Sequence, residues 1–126
     1  MKNKGFTFVE LLVVITIIGI IFASGIVAFT SLTIRSRDTR RRSDLEAIRQ
    51  TLEMCRSLAG SYPASIYDVG GISCSVSGPI LMSNGPTDPK PSDSCASQYA
   101  YVRATTTTYT LTACQESGGT YQVASP

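Results

Sequence analysis

Residues 11–34 read LLVVITIIGIIFASGIVAFTSLTI, 24 consecutive positions without a charged side chain. At about 1.5 Å per helical residue this run reaches roughly 36 Å, more than the roughly 30 Å of a bilayer's hydrocarbon core, so it predicts a membrane-spanning helix. The hydroxyl residues inside it, Thr16, Ser24, Thr30, Ser31 and Thr33, can bond back to helix carbonyls and do not disqualify it. Composition changes beyond the run. All four Phe lie in the first thirty residues and all six Tyr from Tyr62 onward, as expected for a lipid-facing segment followed by a wet surface.

Five of the eleven basic residues, Arg35, Arg37, Arg40, Arg41 and Arg42, crowd the exit of the run in a chain of net charge +2. They suit anionic headgroups, which offer about 1 kcal/mol per charge near a membrane surface, and any contact with DNA would fall to them. From Ser57 onward, Asp68, Asp88, Asp93 and Glu116 stand against Lys90 and Arg103, so this part offers nucleic acid no broad basic surface. Four cysteines, Cys55, Cys74, Cys95 and Cys114, all follow the span. An even number in a small, thin-cored region reads as disulfides formed in an oxidising compartment. With no His and no Cys-x-x-Cys spacing, a zinc site is not expected. The lack of His, of a free thiol once bridges form, and of a carboxylate pair at recognisable spacing points to no catalytic residue and no enzyme.

Upstream, Met1-Lys2-Asn3-Lys4-Gly5 is a short positive leader, but the apolar run exceeds the roughly 7 to 15 residues of a secretory h-region. Ala23-Ser24-Gly25 supplies small residues for ordinary signal cleavage; the residues around Gly5 argue against that alternative. Gly5-Phe6-Thr7-Phe8-Val9-Glu10-Leu11-Leu12-Val13-Val14 closely resembles the class III signal of type IV pilins, pseudopilins and their relatives. The resemblance implies that a prepilin peptidase cuts between Gly5 and Phe6 on the cytoplasmic side, that the new Phe6 amine is N-methylated, and that the span is retained. It also gives Glu10 a role. A carboxylate within an apolar helix is costly and persists with a partner or a task. In the family it is thought to pair with the Phe6 amine of a neighbouring subunit in a low-dielectric filament core, setting axial register. Charge counting alone, two lysines before the span against five arginines after it, would leave the carboxyl side in the cytoplasm. The cysteines and the signal motif outweigh it and put the head outside.

Helical periodicity continues past the span, with Leu45, Ile48, Leu52 and Cys55 on one stripe and Arg41, Arg42, Asp44, Glu46, Arg49 and Glu53 assigned to other faces. No proline interrupts Phe6 to Leu58, and Gly60 with Pro63 beyond it marks the end. Many pilins carry a helix-distorting proline where this chain has Val27, which leaves Gly19 and Gly25 as the weak points. Tyr62 to Val76 reads as an irregular connection, and Ile80-Leu81-Met82 as a short strand within a loop. Ser97 to Ala104, Thr107 to Cys114 and Thr120 to Ala124 read as strands, with turns at Ala104-Thr105 and Gly118-Gly119. Four cysteines allow three pairings; a hairpin about Ala104-Thr105 would set Cys95 opposite Cys114, leaving Cys55 with Cys74. Each bridge would contribute roughly 3 kcal/mol to a head in which only 15 residues from Arg35 onward are Val, Ile, Leu, Met or Phe.

The expected fold is therefore α+β, a long helix against a small antiparallel meander of three or four strands, the layout of the pilin fold. The expected segments are a leader at 1–5, a transmembrane or filament-core helix at 6–34, its amphipathic continuation at 35–60, and a disulfide-stapled head at 61–126. Asp88 and Asp93, in a proline-rich loop, faintly resemble the calcium-holding loop of type II secretion pseudopilins; calcium wants six to eight oxygens, and no cofactor is expected. The resemblance implies a structural subunit, held in the inner membrane as monomer. An assembly ATPase and platform protein would polymerise it into a helical homo-oligomeric filament at the cell surface, serving adhesion, motility or DNA uptake. The alternatives are a pseudopilin building a secretion piston and, from another class, a membrane-anchored binding module.

Overall fold

A helix of 52 residues, α1 (Phe8–Ala59), precedes five short strands: β1 (Gly71–Ser73), β2 (Ile80–Ser83), β3 (Ala100–Thr105), β4 (Thr108–Cys114) and β5 (Thr120–Ala124). The computed structural model describes residues 5–68, 70–75, 78–92 and 95–126. The layout is α+β, with antiparallel sheets after one long helix. The chain divides into two compact units, Met1–Ile34 and Arg35–Pro126.

In the first unit every described side chain from 5 to 32 is exposed. The helix is long and apolar enough to cross a membrane, with a mean hydropathy of 2.8 over its most apolar window. Its hydroxyls turn inward on the backbone: Thr16 donates to the Val13 carbonyl at 2.8 Å, Ser24 to Ile21 at 2.9 Å and Thr33 to Phe29 at 2.8 Å. Such back-bonding satisfies each hydroxyl where no water would reach it.

In the second unit Leu45, Ile48, Leu52 and Cys55 from α1 are fully buried. Leu45, Ile48 and Leu52 pack in one cluster with Tyr109, Leu111 and Ala113 of β4, Val123 of β5, Ile72 of β1, and Tyr62, Ile66 and Tyr99 from the connections. β4 is the central strand, and its residues alternate between buried and outward positions as a half-covered sheet requires. α1 stops because Gly60 adopts φ +74° and its N–H returns to the Arg56 carbonyl at 2.8 Å, a left-handed cap that glycine accommodates without strain.

Three expectations are corrected. The connection after Tyr62 is not wholly irregular, since β1 pairs with β2, Ile72 opposite Met82, forming a separate two-stranded sheet. Three residues beside Gly70 and Gly71 are too few to show alternation, and burial of Ile72 is what the strand supplies. The β3–β4 turn falls at Thr106-Thr107, because a register irregularity between Arg103 and Thr105 displaces it from Ala104-Thr105. The tyrosines, finally, do not coat a wet surface. Tyr62, Tyr99 and Tyr109 are buried, and their hydroxyls donate to Glu53 at 2.9 Å, Asp44 at 2.7 Å and Glu53 at 3.4 Å respectively. A head short of aliphatic residues fills its core with aromatic rings and provides each hydroxyl with an acceptor. The rings of Tyr62 and Tyr109 meet edge to face at 4.6 Å.

Cys55 is bonded to Cys74 and Cys95 to Cys114, with Cα separations of 5.0 and 5.5 Å. The second bridge is not a cross-strand pair. The β3–β4 ladder ends at Ala100 opposite Thr112, so Cys95 approaches Cys114 from the preceding loop, where its N–H and carbonyl bond to Ser92.

Candidate functional site

Thr7 and Glu10 determine where α1 begins. Gly5, Phe6 and Thr7 are outside the helix, and helical geometry starts at Phe8 rather than at Phe6. The Thr7 hydroxyl accepts from the Glu10 N–H at 3.2 Å. In return Glu10 Oε2 accepts from both the Thr7 N–H and the Thr7 hydroxyl, each at 2.8 Å. This reciprocal arrangement is a capping box, which satisfies helix N–H groups that have no partner one turn below them. Its signal, Thr or Ser followed three residues later by Glu, stands in the sequence as Thr7-Phe8-Val9-Glu10. The carboxylate singled out for assembly is thus engaged by its own chain, at the head of a helix with exposed apolar side chains. The peptide between Gly5 and Phe6 lies in the non-helical stretch just before it.

A second constellation lies in the basic segment. Arg41, expected on a polar face, is fully buried four residues before Leu45 on the core stripe. Its Nε and Nη2 each donate to one oxygen of Asp88 at 2.7 Å, while Nη1 donates to Asp38 at 2.7 Å and Nη2 lies 3.1 Å from Glu116. Arg37 forks onto both oxygens of Glu116 at 2.6 Å. The Asp38 carboxylate accepts from the N–H groups of Glu116 and Ser117 at 2.9 and 3.0 Å, fastening the loop between β4 and β5 to α1. Paired forks and backbone donors make this a satisfied buried network, in which no described buried side-chain nitrogen or oxygen lacks a partner.

The network pulls its carboxylates below their ordinary range. Burial opposes ionisation of Asp38, but bonds from Ser117, the Glu116 and Ser117 N–H groups and Arg41 outweigh it and hold the group at about 2. Arg37 first, then Arg41, against burial, hold Glu116 at about 2. Arg41 first, with the Lys90 N–H, lowers Asp88. Depressed folded-state values mean that stability is present above the unfolded values, near 3.8 for Asp and 4.5 for Glu, and is lost as pH falls through the folded ones. The urea midpoint of the head should therefore stay flat from pH 7 to about 5 and drop steeply between about 4.5 and 2. A midpoint unchanged at pH 3 would show that these carboxylates are not ion-paired in solution.

The two Asp88 oxygens are both turned onto Arg41, and one also accepts the Lys90 N–H at 2.8 Å. Asp93, its suggested calcium partner, lies outside the described residues. Among the described residues no group of three His, Cys, Asp or Glu side chains is placed to hold a metal ion. Gly5, Phe6 and Glu10 open the first unit, and the four cysteines staple the second.

No solved structure matches the chain. Residues 1–26, which contain the capping box and the first half of the apolar run, match the family model of the prokaryotic N-terminal methylation motif, the class III signal of the type IV pilin and pseudopilin family.

Proposed function

We propose that the chain is the structural subunit of a type IV pilus-like filament, made as a membrane-anchored precursor and polymerised through its amino-terminal helix. The observation that carries this reading is the exposed apolar surface of α1 from Phe8 to Leu32 with a carboxylate in its first turn. In lipid that surface is solvated by acyl chains; in a filament, copies of the same helix would take their place. A prepilin peptidase would cut the non-helical Gly5–Phe6 peptide, and N-methylation would follow at Phe6. Glu10 would then exchange its bonds to Thr7 for the amine of a neighbouring Phe6. The two disulfides support a head that folds in an oxidising compartment, outside the cytoplasmic membrane and then at the cell surface. An assembly ATPase and platform protein would do the mechanical work, and the activity of this chain would be polymerisation rather than catalysis. The engagement of Asp88 by Arg41 gives the calcium-dependent piston alternative no support from this loop.

The test is intact-mass and amino-terminal analysis of material sheared from cells and alkylated without reduction. The expected species begins at N-methylated Phe6 and carries no alkylated thiol. A chain retaining Met1 with four alkylated cysteines would overturn the reading.

A further inference from the structure

The five arginines after the apolar run are not equivalent. Arg41 is buried against Asp88 and Asp38, Arg37 is forked onto Glu116, and Arg42 lies over the Tyr121 ring at 5.3 Å. Arg35 and Arg40 are exposed, and among the described residues neither side chain has a hydrogen bond or ion pair. The acids that could have neutralised them are used elsewhere: Asp38 and Glu116 by Arg41, Arg37 and backbone N–H groups, Asp44 by the Tyr99 hydroxyl, and Glu46 by Arg49.

We infer that Arg35 and Arg40 each bind the phosphate of an anionic phospholipid in the leaflet next to the head. The inference rests on the membrane reading of α1. Because the uncharged run is longer than the hydrocarbon core, Arg35 reaches the headgroup layer, roughly 5 to 8 Å deep, and Arg40 follows about 7.5 Å further along the axis. Five residues turn the helix by about 140°, so the two guanidinium groups stand on different sides of it and face different lipids. Each fork matches two phosphate oxygens. Arg37 and Arg41 carry their own counter-charges and add nothing to lipid choice.

The test is electron paramagnetic resonance of the full chain in phosphatidylcholine bilayers, with spin-labelled phosphatidylglycerol compared against spin-labelled phosphatidylcholine. The expected result is a motionally restricted fraction in which phosphatidylglycerol is preferred by roughly three- to tenfold. The preference should fall to near unity in R35Q/R40Q and persist in R35K/R40K. It should also persist in R49Q, which removes the same kind of charge about 21 Å beyond Arg35. An equal affinity for both lipids in the wild type, or a preference that survives R35Q/R40Q, overturns the inference while leaving the membrane reading intact. If neither lipid shows a restricted fraction, α1 does not span the bilayer and both fall.

Discussion

Replacing Arg41 with Met should lower the stability of the head by about 3 to 5 kcal/mol, the usual penalty for removing one partner of a buried ion pair. That is a large share of the roughly 5 to 15 kcal/mol that holds a domain together. Met fills much of the same volume, so the loss would come from charge rather than from a cavity. The Asp88 side chain is 1% exposed; without the guanidinium its carboxylate keeps only the Lys90 N–H among the bonds described above. Asp38 loses one of its four donors and Glu116 one of its two arginines. Urea unfolding of the oxidised full chain in micelles at pH 7, followed by near-ultraviolet tyrosine signals, measures the loss. The double variant R41M/D88L should recover part of it, because the orphaned charge is removed with its partner. A loss below about 1 kcal/mol for R41M would place the pair in the class of solvated surface bridges and refute the buried lock.

Replacing Glu10 with Ala should reduce surface filaments by on the order of 100-fold, the scale set by truncating one partner of a buried interfacial charge pair. Membrane insertion and removal of the leader should continue. The capping box makes a second variant informative. Thr7→Val removes the hydroxyl that holds Glu10 in the monomer but leaves the carboxylate, so filaments should still form. Shearing, quantification of the released subunit and mass analysis of the membrane fraction read both variants. Wild-type filament yield from E10A would reduce Glu10 to a helix cap.

The long helix was legible because its signals are local. An uncharged run, a three- and four-residue apolar spacing and Gly60 are all read within a few residues of where they act. Strands β3, β4 and β5 were legible for the same reason, through threonine, tyrosine and valine and the paired glycines. The lock around Arg41 was not, since its partner Asp88 lies 47 residues away and has no neighbourly signature. One clue was present: Arg41 stands four residues before Leu45, on the stripe that continues through Ile48 and Leu52. An arginine in register with a core stripe asks for buried carboxylates. The helix start was likewise written in Thr7-Phe8-Val9-Glu10, but the signal motif drew attention to the bond before it. The tyrosine core was hidden because composition alone does not tell a ring on the surface from one whose hydroxyl has found Glu53 or Asp44.

The bond between Asp38 and the loop at Glu116 and Ser117 joins segments 78 and 79 residues apart, with Glu116 near the end of the chain. That clasp cannot close until the whole stretch from Asp38 to Ser117 is free to fold together. Loop-closure entropy makes so distant a contact a late event, formed after the folding barrier rather than on the way up it. Substitutions at Asp38 should accordingly hasten unfolding and leave the refolding rate almost untouched.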